Sequence, residues 1–122
     1  PGAECRLEFA AGAAPTIVSE PTLEQAVINL LNNAARVVRQ EIVVSATWDN
    51  SHWTLEIRDD GPGFPPEILT SAGRQAFPAH ADGSGIGILL SMAAIERLGG
   101  QMHLTNPADG GAIARLRFPI HD

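Results

Sequence analysis

The sequence contains no lysine; all eight of its basic residues are arginine. A Walker-type phosphate loop carries a lysine directly after its glycines, so that class of nucleotide site is excluded. There is a single cysteine, Cys5, and no internal disulfide can form, a usage that fits a reducing compartment. No apolar run approaches the roughly 20 residues that cross a bilayer. The first residues lack the basic-then-apolar order of a signal peptide. Basic charge is scarce as well: 8 basic residues face 14 acidic ones, a formal net charge of −6. A broad basic surface for nucleic acid is therefore not expected. The chain starts abruptly and reads as a piece of a longer protein.

What is present suffices for a core. With 122 residues and 44% of them hydrophobic, the chain reads as one compact domain over residues 1–122, and wholesale disorder is excluded. No repeat, low-complexity tract or linker interrupts it. Residues 4–9 and 16–18 read as short strands. Leu23, Ala26, Val27, Leu30, Leu31, Ala34, Val37 and Val38 then recur with the i, i+3, i+4, i+7 spacing of an amphipathic helix. Pro21 suits its first turn, or Thr22 with Gln25 forms a capping box one residue later. Ile42 to Trp48 and Trp53 to Ile57 alternate on either side of the turn-like Asp49-Asn50-Ser51-His52, which predicts a hairpin. Residues 65–82 read as a loose segment with one short helix. A second helix opens at Gly83–Gly87 and stops at Gly99-Gly100, and strands are predicted near 101–105 and 112–118. The sum is an α/β sandwich of the α+β class, a mostly antiparallel mixed sheet with helices on one face.

Three constellations carry chemistry. On the long helix, Gln25, Asn29, Asn33 and Arg36 are spaced by 4, 4 and 3 residues and form one polar stripe beside the apolar face. Asparagine is a mediocre helix former, so Asn29 and Asn33 are either surface or capping residues, or they supply side-chain oxygens. Mg²⁺ takes such oxygens together with phosphate and water. The second is Asp59-Asp60-Gly61-Pro62-Gly63. Asp59 shares the strand parity of Trp53, Leu55 and Ile57 and should point inward, where a carboxylate needs a partner. It is either a local turn cap or the acceptor for a ligand amino group, with Gly61 and Gly63 admitting close backbone approach. Asp60 reads as a solvated turn residue. The third is Gly83-Ser84-Gly85-Ile86-Gly87, followed by Ile88. It opens a helix, where free N–H groups and the helix dipole favour phosphate, and its spacing is not that of a Rossmann loop.

In this order the three blocks resemble the ATP-binding family that includes gyrase, a heat-shock chaperone, a mismatch-repair protein and the histidine kinases. The likeness runs over about residues 20–118. The resemblance implies a Bergerat ATP-binding fold, with ATP and Mg²⁺ as cofactors and Asn33 as the metal ligand. Asp59, Gly61 and Gly63 would read adenine. Gly83, Ser84, Gly85, Ile86, Gly87 and Ile88 would line the phosphates, with Arg36 offsetting their charge and residues 65–82 as a lid. In the hydrolysing members a glutamate stands where this chain has Asn29, and an amide cannot act as a general base. That favours transfer of the γ-phosphoryl group, so the chain looks like the catalytic domain of a bacterial sensor histidine kinase. Its lid and the segment around Gly83-Ser84-Gly85 are faintly similar to the redox-responding RegB/PrrB group.

The resemblance also implies partners. These are a dimerisation domain of the same protein carrying the phosphoacceptor histidine, and a downstream response regulator. Nucleic acid is not among them. The domain would be cytoplasmic and not inserted in a membrane, with the parent protein in the inner membrane. A non-catalytic nucleotide-binding regulatory module and a serine-directed anti-sigma-type kinase are the alternatives. Several positions depart from the pattern. The lid has no lysine, which leaves Arg74 and His80 to touch phosphate, and alanine follows Gly110-Gly111 where many relatives have threonine. None of His52, His103 and His121 has the setting of an acceptor. Phe64, Ile68 and Phe77 read first as simple core packing, and otherwise as residues that pack the lid or dock the partner helix.

Overall fold

The computed structural model describes residues 4–9, 21–37, 39–74 and 86–120. The strand expected at 16–18 lies outside them. The helical periodicity forms α1 (Pro21–Val37), which has proline as its first residue and buries Ala26, Leu30 and Ala34. The two alternating stretches form β2 (Glu41–Trp48) and β3 (His52–Asp59), preceded by β1 (Glu4–Phe9). Asp49 shapes the hairpin turn by accepting the N–H groups of Ser51 at 2.7 Å and His52 at 2.8 Å. The loose segment contains α2 (Pro66–Arg74), followed by α3 (Ile86–Arg97), β4 (Gln101–Thr105) and β5 (Ala112–Pro119). Gly99 ends α3 with φ +92°, and the N–H of Gly100 bonds back to the carbonyl of Ile95 at 3.0 Å.

The five strands lie in the order β1-β2-β3-β5-β4. Only β1 and β2 run parallel; the other pairs are antiparallel. The register aligns Ile42 with Asp59, Ile57 with Ala114, and Leu116 with Met102. These residues share one face, which packs with Ala26, Leu30 and Ala34 of α1 and with Ile88, Leu89, Met92 and Ile95 of α3. Leu116 and Ile95, both 0% exposed, are the centre of that core. Near the start of β3, Trp53 stacks on Phe118 with ring centroids 4.9 Å apart.

The opposite face is polar. It carries the ion pairs Arg6–Glu41, Arg115–Glu56 and Arg58–Asp109 at 2.8 to 3.1 Å. Pairs this exposed contribute at most about 1 kcal/mol each, so burial on the helical face holds the domain together.

The chain path orients the two long helices. α1 leads to Glu41, beside the Ile42–Asp59 pair, whereas α3 leads through Gly99-Gly100 to Gln101, which pairs with Arg117 at the far end of the sheet. The helices are therefore antiparallel. The last half of α1, the first turn of α3, the end of β3 and the β4–β5 turn all gather at one end of the domain.

Candidate functional site

Strand parity turns Asp59 into the core side of the sheet, where it is 5% exposed. Its Oδ1 accepts the N–H of Gly61 at 2.8 Å, and no other described residue donates to its carboxylate. Burial raises its pKa above the usual carboxylate value; the Gly61 hydrogen bond opposes that, and the neighbouring Asp60 charge adds to it. The local cap read from sequence is real, yet it leaves most of the acceptor capacity of a buried carboxylate for a donor from elsewhere.

Asp60 corrects the sequence reading. It is not merely a solvated turn residue, because its two oxygens accept the backbone N–H groups of Arg39 at 2.7 Å, Gln40 at 3.0 Å and Glu41 at 3.1 Å. These bonds hold its carboxyl below the usual range, foremost that from Arg39. They also fasten the exit of α1 to the end of β3.

Two glycines make this end compact. Gly63 has φ +92°, and a Cβ there would stand 2.9 Å from the Asn106 side chain. Gly111 has φ +85°, and its Cα faces the carbonyl oxygen of Asp59 so closely that a Cβ would collide with it. Asn106 was not singled out by sequence. Its Oδ1 accepts the N–H of Phe64 at 2.8 Å and its Nδ2 donates to the carbonyl of Phe64 at 2.9 Å. An asparagine beside a glycine turn is too common a pattern to have marked it. Phe64 and Ile68 are buried in the core, which is their packing role.

The polar stripe of α1 is assembled as the spacing requires. Gln25 Nε2 donates to Asn29 Oδ1 at 3.0 Å, and Arg36 Nη2 donates to Asn33 Oδ1 at 3.2 Å. Asn29 Nδ2 reaches across to Ser91 Oγ of α3 at 3.4 Å, and Ser91 is 2% exposed. Both ends of the Asn29 amide are thus engaged. Asn33, one turn further along α1, faces the start of α3 in the antiparallel pair. Arg36 has no carboxylate partner among the described residues.

At the opening of α3, a Cβ on Gly87 would meet nothing within 4 Å, while the Ile88 side chain is buried, leaving only its backbone to face a ligand. Gly83, Ser84 and Gly85 lie outside the described residues, as do Phe77 and His80. Ile86 is the first residue of α3 and Arg74 the last of α2. Ala112, in place of threonine, is buried and pairs with Asp59. No group of three His, Cys, Asp or Glu side chains that could hold a metal occurs among the described residues. The oxygen that Asn33 offers is a neutral amide oxygen, which in this structure accepts from Arg36. That fits a hard cation whose remaining ligands are phosphate and water, and does not fit an all-protein cage.

A buried carboxylate at a strand end, a glycine turn after it and an asparagine stripe facing a helix start define a known class. The chain belongs to the ATP-binding family described as histidine kinase-, DNA gyrase B- and HSP90-like ATPases, which matches residues 18–122. Within that class it is of the sensor-kinase catalytic type. It is 29% identical over 124 residues to the sensor protein FixL of Bradyrhizobium diazoefficiens, covering 98% of this chain and 25% of that protein. It is 28% identical over 128 residues to the sensor histidine kinase RegB of Cereibacter sphaeroides, covering 87% of this chain and 28% of that protein. FixL and RegB match it about equally, so neither sets a narrower group. Among solved structures it resembles the mycobacterial sensor histidine kinase MprB, with TM-score 0.67, 25% identity, and 96% and 83% of the two chains covered. It shares the fold of the catalytic domain of histidine kinase ThkA, with TM-score 0.77, 19% identity, and 97% and 80% covered. The chain thus spans roughly a quarter of the length of these curated relatives.

Proposed function

We propose that this domain binds Mg-ATP at the Asp59 end and presents the γ-phosphate to a histidine on a separate dimerisation domain of the same protein, which passes the phosphoryl group to a response regulator. The observation that carries the reading is Asp59, a buried carboxylate with one backbone donor, whose remaining acceptor capacity would take the purine amino group. Bound Mg²⁺ would neutralise phosphate charge, held on the protein side by the Asn33 oxygen. Arg36 would add a positive charge free of any described acidic partner. Gly87 and the glycines before it would direct backbone N–H groups toward the phosphates at a helix start. Catalysis is then positioning and charge neutralisation, with little covalent work by the domain.

The Asn29 amide is bonded to Gln25 and Ser91 and has no basic group to activate water. The isolated domain should therefore be nearly inert toward ATP. No helix among the described residues is long and apolar enough to cross a membrane. A parent protein anchored in the bacterial inner membrane, with this domain on the cytoplasmic side, is part of the proposal.

Calorimetric titration with a non-hydrolysable ATP analogue, with and without Mg²⁺, tests the site. Binding that Mg²⁺ strengthens, that Asp59→Asn abolishes, and that Asn33→Ala leaves insensitive to Mg²⁺ is the expected result. Absence of binding to the folded domain would refute it. Adding an acceptor domain should then yield acid-labile phosphate. Acid-stable phosphate would mark a serine-directed kinase, and no phosphate a regulatory module.

A further inference from the structure

The loop from Asp59 to Phe64 is held at both ends by one turn. At its start, Gly111 lies against the Asp59 carbonyl; at its end, Asn106 grips both backbone polar groups of Phe64. Gly111 and Asn106 close the two sides of the β4–β5 turn, residues 106–111. Between the two anchor points sits the N–H of Gly61, which fixes Asp59 Oδ1. The Asn106 contact is specific in its polarity. One amide supplies an acceptor to the Phe64 N–H and a donor to the Phe64 carbonyl, reproducing the two-bond exchange of an antiparallel strand pair across 42 residues of sequence. The fit is also steric, because the missing Cβ of Gly63 is what lets the Asn106 amide lie flat against the loop.

We propose that Asn106 is a positioning residue for nucleotide recognition: by gripping Phe64 it fixes the Asp59–Phe64 loop, and through the Gly61 N–H it sets the orientation of the Asp59 carboxylate toward adenine. The inference rests on the ATP reading of this site. Asp60, bonded to the N–H groups of residues 39–41, and Gly111 hold the start of the loop, so without the grip its Phe64 end keeps only the packing of the buried ring. The Gly61 N–H between them is then less firmly placed, and Asp59 is less well oriented by its one backbone donor. Asn106 itself touches no ligand. Its loss shows as poorer discrimination of adenine and not as a lost phosphate contact.

The test compares the 122-residue chain with Asn106→Ala and Asn106→Asp, measured well below their unfolding temperatures with the folded fraction checked by circular dichroism. Asp has the shape of Asn but no amide donor, so it sets a carboxylate oxygen against the Phe64 carbonyl; a space-filling role would tolerate it. Expected in both variants are affinity for an ATP analogue weakened by about tenfold, about 1.4 kcal/mol, a smaller preference for the ATP over the GTP analogue, and faster amide exchange at Gly61 and Phe64. Wild-type affinity and exchange in folded Asn106→Asp would overturn the inference, as would weaker binding with the ATP/GTP preference intact. If the wild-type chain binds no analogue, the ATP reading itself falls, and exchange at Gly61 and Phe64 then decides whether Asn106 holds the loop.

Discussion

Gly110 and Gly111 allow the packing around Asp59 to be measured rather than described. Both glycines have positive φ, +101° and +85°. An alanine at either position takes on left-handed backbone strain of about 1–2 kcal/mol. They differ in what the new methyl group meets. At Gly110 there is nothing within 4 Å; at Gly111 the methyl would overlap the Asp59 carbonyl oxygen and stand 3.3 Å from its carbon and 3.4 Å from the Asp60 Cα. Those neighbours are backbone in the β3–β5 ladder and cannot rotate away as a side chain would. Relief requires the end of β3 to move from β5, which adds overpacking strain of about 1–3 kcal/mol. Gly111→Ala should then cost about 2–5 kcal/mol in total, against about 1–2 for Gly110→Ala. Urea unfolding followed by circular dichroism separates these values, and the surviving folded fraction of Gly111→Ala should bind the ATP analogue more weakly while Gly110→Ala binds normally. Equal destabilisation by the two substitutions would refute the argument that the β4–β5 turn presses on the Asp59 carbonyl.

Asp60→Ala removes the acceptor for three backbone N–H groups and should lower the urea midpoint at pH 7. Those bonds depress the folded-state pKa of Asp60 below its unfolded value, so its contribution is complete above about pH 4 and fades as pH falls through the folded value. The gap between variant and wild type should close in acid, and a gap that persists there would exclude the carboxylate as its source. Asp59 has the opposite sign. Its folded pKa is raised, mainly by burial, so its charge weighs against the fold as pH rises through that value. Asp59→Asn keeps an oxygen for the Gly61 N–H and should unfold no more easily than wild type at pH 7, even as ligand binding is lost. Leu116→Ala, at a 0% exposed position, should cost about 2–5 kcal/mol in the same urea assay, and a value near zero would mean the core re-forms around it.

The sequence foretold these elements unevenly, for physical reasons. α1 was legible because seven apolar residues from Leu23 to Val37 keep helical spacing over nearly all of its length and Pro21 marks its start. The hairpin of β2 and β3 was legible because alternation and a polar turn are both local signals. Strand parity even placed Asp59 on the buried face. The role of Asp60 was not legible. Its three donors come from residues 39 to 41, about 20 positions earlier, and the residue itself looks like any aspartate before a glycine. Asn106 and its partner Phe64 are 42 positions apart, and Asn29 and Ser91 are 62 apart. Such pairs exist only once the sheet order and the antiparallel helices are set, and no periodicity encodes them.

The placement of the aromatic residues governs how this protein can be watched. Its two tryptophans, Trp48 and Trp53, pair across the hairpin, and there is no tyrosine. Trp53 lies six residues from Asp59 along β3, roughly 20 Å of extended strand. Intrinsic emission therefore originates at the end of the sheet remote from the Asp59 loop and the β4–β5 turn. It should follow melting of the sheet faithfully and stay nearly silent when a ligand arrives, so a single fluorescence channel can score unfolding in the presence of nucleotide without interference from occupancy.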